Sequence, residues 1–207
     1  MLRGGHRLFG NASSFFGKLN SVATLVSFGE KRCRKNPPLF ARSHHDEADV
    51  LRCGYESGHF GKPQIIGWAD RQLEACNTAS DALIDLSLCR EADPRFVVSN
   101  LQSLGANDPQ FCIDLRFAFL GLAFSAKRIT LEQAARSLYA MLLDINNEDL
   151  LDASQRNSIY RIDDGYDLAS SGAYGTIAEV ESDFIEFVTP YIARLNEHHA
   201  ELVASGE

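Results

Sequence analysis

From Phe111 to Phe124 the chain carries Phe111, Ile113, Leu115, Phe117, Phe119, Leu120, Leu122 and Phe124. Wound into a helix, these side chains point nearly all round the axis and leave no face for water. Such a helix has two homes, a bilayer or the centre of a protein. The most apolar run, Phe117 to Ala126, is ten residues long, about half of the roughly 20 that a bilayer core demands. The segment therefore predicts a central helix that other helices must enclose.

The enclosing helices are marked by punctuation. Ala48 to Glu56 predicts a short helix ended by Gly58, and Pro63 stands in the first turn of a helix bearing Ile65, Ile66, Ala69, Leu73 and Cys76. Ser80 is placed to cap a helix whose apolar positions Leu83, Ile84, Leu86 and Leu88 wrap much of its circumference. Asp93-Pro94 and Asp108-Pro109 are both N-cap and first-position pairs: the carboxylate accepts a free N–H, and proline fills a place that needs no donor. Between them Phe96, Val97, Leu101 and Leu104 run to a stop at Gly105.

Thr130-Leu-Glu-Gln133 reads as a capping box, with Leu131, Ala135, Leu138, Leu142 and Ile145 on one stripe behind it. Glu148 to Ile162 predicts a further helix. A second box, Thr176-Ile-Ala-Glu179, opens the last helix, with a seam of Ile177, Val180, Phe184, Phe187, Val188, Tyr191, Leu195 and Leu202. Pro190 removes a backbone donor inside it and predicts a kink there. No alternating strand pattern exceeds four residues, and no repeat of solenoid length occurs. The expected class is all-α, an irregular multi-helix bundle.

Charge divides the chain. Residues 1–45 hold eight basic residues and one acid, Glu30, whereas residues 46–207 hold twelve basic and twenty-seven acidic residues, a balance of −15. Two regions are expected: a basic, acid-poor extension over 1–45, disordered or loosely structured, and an acidic helical domain over 46–207. The extension is rich in Arg, Ser, Phe and Gly, the composition of an organellar transit peptide. A non-functional or non-native upstream extension is favoured over that reading and over a functional basic arm, although no Met intervenes between Met1 and Met141. The expected location is cytoplasmic, or organellar if residues 1–45 are a transit peptide. A domain at −15 repels phosphate backbones, so no nucleic acid is expected as a partner, and no membrane either. Its field attracts basic proteins.

Motifs that carry chemistry are scarce. Cys33, Cys53, Cys76, Cys89 and Cys112 include no C-x-x-C pair, and reduced thiols packed as small hydrophobes are expected. His44-His45-Asp46-Glu47 with Cys53 and His59 offers metal-ligating side chains, but adjacent residues of an extended linker point apart, so a linker is the expectation. His198 and Glu201, one turn apart, are a pair and not a site. Asp144-Ile-Asn-Asn-Glu148 begins like a calcium loop but lacks the glycine at its sixth position and has Gln155 at its twelfth. Neither catalytic residues nor a cofactor or metal site is expected. Trp68, the single tryptophan, lies on a helix flank and is expected in the core.

Asp163 to Gly175, with three glycines and two tyrosines, is the longest stretch read as irregular. Asp163, Asp164 and Asp167 with Tyr166 and Tyr174 form its most distinctive cluster. Carboxylates interleaved with tyrosines suit docking against a basic protein, since tyrosine brings contact area at low entropic cost. Pro63-Gln-Ile-Ile-Gly-Trp-Ala-Asp70, then Ala82 to Leu88, then this acidic stretch leading into a final helix, resemble small helical bacterial proteins, some of them encoded beside polymorphic toxins as immunity proteins. The resemblance covers residues 48–195 and carries over no functional residue; the long basic N-terminus departs from it. It implies a non-enzymatic, protein-binding domain, an immunity-type inhibitor of a basic partner. The alternative is an enzyme assembled from scattered acidic residues, whose mark would be carboxylates converging in a concave pocket.

Overall fold

The structure is a computed structural model that describes residues 44–75, 80–144 and 149–204. Its elements are α1 (His44–Glu56), α2 (Lys62–Ala75), α3 (Asp81–Ser87), a 3-10 turn (Cys89–Glu91), α4 (Pro94–Leu104), α5 (Pro109–Ser125), α6 (Leu131–Leu143), α7 (Ala153–Ser170) and α8 (Ile177–Ala204). No strand occurs among the described residues, and none of their helices is long and apolar enough to cross a membrane. The expectations for residues 1–43, Cys76, Ile145 and Glu148 fall outside the described residues.

The all-α bundle is built around α5, which packs against α1, α6 and α8. Its all-round apolarity has a specific cause. Leu115, Ala118 and Phe119 face one core, shared with α1 to α4 and the end of α8. Ile113, Phe117 and Leu120 face a second core, shared with α6, α7 and the first half of α8. One helix serves two hydrophobic clusters and has no side left over. Gly121 sets how closely α8 approaches: a Cβ there would lie 2.8 Å from a methyl of Val188 and 2.7 Å from Ile192, inside van der Waals contact.

The caps behave as their chemistry requires. Asp93 accepts from the Arg95 N–H, and Asp108 from the N–H groups of Gln110 and Phe111. Thr130 and Gln133 close a reciprocal capping box, and Ser80 accepts from the Leu83 N–H. Gly58, at φ +71°, takes the left-handed conformation after α1. Gly105 ends α4 for a different reason. Its φ is −71°, open to any residue, but a Cβ would lie 2.4 Å from an Asp49 carboxylate oxygen.

Four local expectations are corrected. His44 to Glu47 is the first turn of α1 and not a linker: Glu47 accepts from Trp68 Nε1 at 2.8 Å, which anchors the buried indole. Asp163 to Ser170 is helical, because α7 begins later than Glu148 and runs on through Gly165; only the short turn before Ile177 is irregular. In α8 the backbone keeps helical dihedrals through Pro190 and leaves them at His199 (φ −136°). Leu88 is 76 % exposed as the C-cap of α3 and wraps into no core.

Candidate functional site

Helices α6 and α7 lie side by side, and their shared outer face carries some of the residues singled out in the acidic stretch. An Asp152–Gln155 capping box starts α7, and the helical register then puts Tyr160, Asp164 and Leu168 on one stripe. Tyr160 is 45 % exposed and Leu168 44 %. Tyr139 of α6 meets Tyr160 edge-on, with ring centroids 6.2 Å apart. One turn further along, Arg136 of α6 bridges to α7, donating to Asp163 at 2.7 Å and also to Asp167. Its hydrogen bond to Asp167 and the charge of Asp163 hold the guanidinium even further from losing its proton. The turn after α7 folds back, with the Tyr174 N–H donating to the Leu168 carbonyl, and leaves Tyr174 79 % exposed.

The five expected residues therefore divide. Asp164 and Asp167 are exposed on this face, and Tyr174 is exposed in the turn that folds back onto Leu168. Asp163 is buried and serves as the inner anchor for Arg136. Tyr166 is half-buried against the second core. Tyr160, Leu168, Tyr139 and Arg136 belong to the same face and were not singled out from sequence; the spacing of Tyr160, Asp164 and Leu168 marks them only once α7 is known to continue.

A cleft of about 560 Å³ lies between α5 and the second half of α8. Phe111, Leu115, Ala118 and Leu195 form its apolar walls, and Asp108, Asp114, Arg194 and His198 its polar lining. Two of its three carboxylates, Asp108 and Asp114, already have partners; the third is Asp46. Asp108 caps α5. Asp114 is ion-paired with Arg194 and accepts from Gln110 at 3.1 Å. Burial raises the Tyr191 phenol pKa, against the hydrogen bond that its oxygen receives from Gln155 at 2.8 Å.

A third cluster is buried between α1, α5 and the turn before α5. Asp49, fully buried, accepts from Arg52 at 3.1 Å and from the Asn107 N–H at 2.8 Å. It thereby holds Asn107 in a left-handed conformation (φ 54°), which asparagine tolerates better than most residues. Arg52 also donates to the Cys112 sulfur at 3.0 Å. His59 takes no part in a ligand set: Arg128 donates to its Nδ1 at 2.8 Å, leaving Nε2–H to reach the Val203 carbonyl at 3.3 Å. Among the described residues no three His, Cys, Asp or Glu side chains are grouped to hold a metal ion.

The chain matches no family model, no curated protein and no solved structure.

Proposed function

We propose that this chain is a protein-docking module that binds a basic protein surface through the outer face of α6 and α7. The observation that carries the reading is the exposure of Tyr160, Leu168 and Tyr174 around the carboxylates of Asp164 and Asp167. Exposed aromatic and aliphatic side chains supply the contacts that desolvate, and the surrounding charge speeds encounter. The excess of acids over bases after residue 45 favours a basic partner. In its narrower form, which rests on the resemblance to immunity proteins, the module inhibits that partner by covering it.

Paired capture tests the proposal. Wild-type chain and a Tyr160→Ala, Leu168→Ala, Tyr174→Ala variant serve as baits in the same native extract. A specific basic partner should be retained by the first and lost by the second, with both baits showing the same melting temperature. Asp164→Asn with Asp167→Asn should slow association and flatten its dependence on salt between low and physiological (about 0.15 M) ionic strength. A partner held equally by both baits places the interface elsewhere.

The cleft supports a second reading, a small-molecule site or an enzyme, because its volume lies within the usual range for ligand pockets. A metabolite that raises the melting temperature of wild-type chain, and loses that effect in Arg194→Ala, would favour it.

A further inference from the structure

The cluster around Arg52 is costly to build, and no part of the docking face uses it. Arg52 is more than nine-tenths buried, and its Nε has no hydrogen-bond partner among the described residues. A buried guanidinium is stable only against negative charge. Asp49 supplies one partner and the Cys112 sulfur the other. Burial works against the Arg52 charge, but the facing cysteine sulfurs and Asp49 outweigh it and leave its pKa raised. Cys53, on the residue next to Arg52, lies with its sulfur 3.9 Å from the Cys112 carbonyl oxygen.

The two thiols differ in kind. The hydrogen bond from Cys53 lowers the Cys112 pKa, with further help from Arg52. That same bond, together with burial, pushes Cys53 up. Cys53 is 2 % exposed, whereas Cys112 is only partly buried. Cys112 therefore combines a guanidinium 3.0 Å from its sulfur with partial exposure, conditions that favour an oxidant-sensitive cysteine, and it has a second thiol beside it. Cys89 is buried and has neither an arginine nor a second cysteine placed this way among the described residues.

We propose that Cys112 and Cys53 form a peroxide-sensitive dithiol, with Cys112 the attacking sulfur and Cys53 the resolving one. In the first step the Cys112 thiolate attacks one oxygen of a hydroperoxide. The S–O bond forms as the O–O bond breaks, and the departing oxygen takes up a proton. In the second step the Cys53 sulfur attacks Cys112 Sγ. The S–S bond forms, the S–O bond breaks, and the departing hydroxide takes the Cys53 proton as water. Two thiols are oxidised to one disulfide for each peroxide reduced. The product links α1 to α5 and converts the sulfur that Arg52 faces from a thiol that can ionise to an uncharged disulfide sulfur, so the contact holding Asp49 and the Asn107 turn changes with redox state.

The test uses the reduced full-length chain, hydrogen peroxide at a one-to-one ratio, a maleimide quench and peptide mass spectrometry. A Cys53–Cys112 linked peptide is expected as the main product, with Cys89 recovered as its maleimide adduct. Cys53→Ser should replace the link by a dimedone-trapped sulfenic acid on Cys112, and Cys112→Ser should abolish both products. Arg52→Lys in the Cys53→Ser chain should slow dimedone trapping by about tenfold, since the planar fork that faces the sulfur is lost. The proposal is overturned if Cys53 and Cys112 both emerge as maleimide adducts while Cys33 or Cys76 is oxidised, or if Cys112 links elsewhere; both readings come from wild-type chain and need no variant to fold.

Discussion

The two halves that share α5 handle charge in opposite ways. In the α1–α4 half, polar and charged groups are buried: Asp49, Arg52 and His59 lie inside and stitch elements far apart in sequence. In the α6–α8 half the interior is apolar and aromatic, with Phe117 against Phe187 and Tyr191 and Phe124 against Phe184. Its carboxylates stand at the surface except Asp163, which Arg136 covers. Buried ion pairs fix a geometry and contribute little net stability, whereas surface carboxylates remain free to meet a partner. The first half is read as scaffold and redox-sensitive joint, the second as docking surface.

The largest effect should come from the helix common to both. Phe117, fully buried, reaches the α6–α8 core, and Phe117→Ala should cost about 3–5 kcal/mol, read as a lowered urea midpoint at unchanged slope. A loss below about 1 kcal/mol would remove α5 from the centre of the fold. Next, Asp49→Ala leaves Arg52 with only Cys112 and the Asn107 N–H without its acceptor. It should cost about 3 kcal/mol, the low end for breaking a buried pair, and faster amide exchange over residues 105–108 should accompany it. If Asp49→Ala is neutral, the contrast between a charged half and an apolar half has no energetic content.

The central helix and most caps could be read directly because their causes are local. Apolarity round a whole turn, Asp-Pro at a helix start and Thr-x-x-Gln each constrain the chain within four residues. What stayed hidden depends on distance. Asp49 is satisfied by Asn107 and Arg136 by Asp163, pairs that no window of neighbours contains. Two residues conceal the α7 register. Gln155, the failed twelfth position of the calcium-loop pattern, is the N3 residue of the Asp152 cap, and Gly165 sits inside the helix beside Val180. With Asp163 to Ser170 read as a loop, the stripe of Tyr160, Asp164 and Leu168 has no periodicity to show it. Tertiary packing overrode the weak glycine preference.

A smaller effect tests that register. Asp152→Ala removes the side-chain acceptor for the Gln155 N–H and should cost about 1 kcal/mol, with exchange accelerated in the first turn of α7. Tyr174→Ala, smaller still, should change stability by less than about 0.5 kcal/mol because the ring is mostly in water, while weakening capture of the partner. Asp163→Asn, by contrast, tests the fold and not the docking, since the carboxylate faces Arg136 from inside.

The division of labour between the halves is tested most directly by amide hydrogen exchange of the full chain with and without its captured basic partner. Slowed exchange is predicted from the last turns of α7 through the turn at Tyr174 to the start of α8, and at the exposed edge of α6, with α1 to α4 unchanged. Protection confined to α1–α4 or to the cleft between α5 and α8, with the α6–α7 face exchanging as in the free chain, would contradict the account.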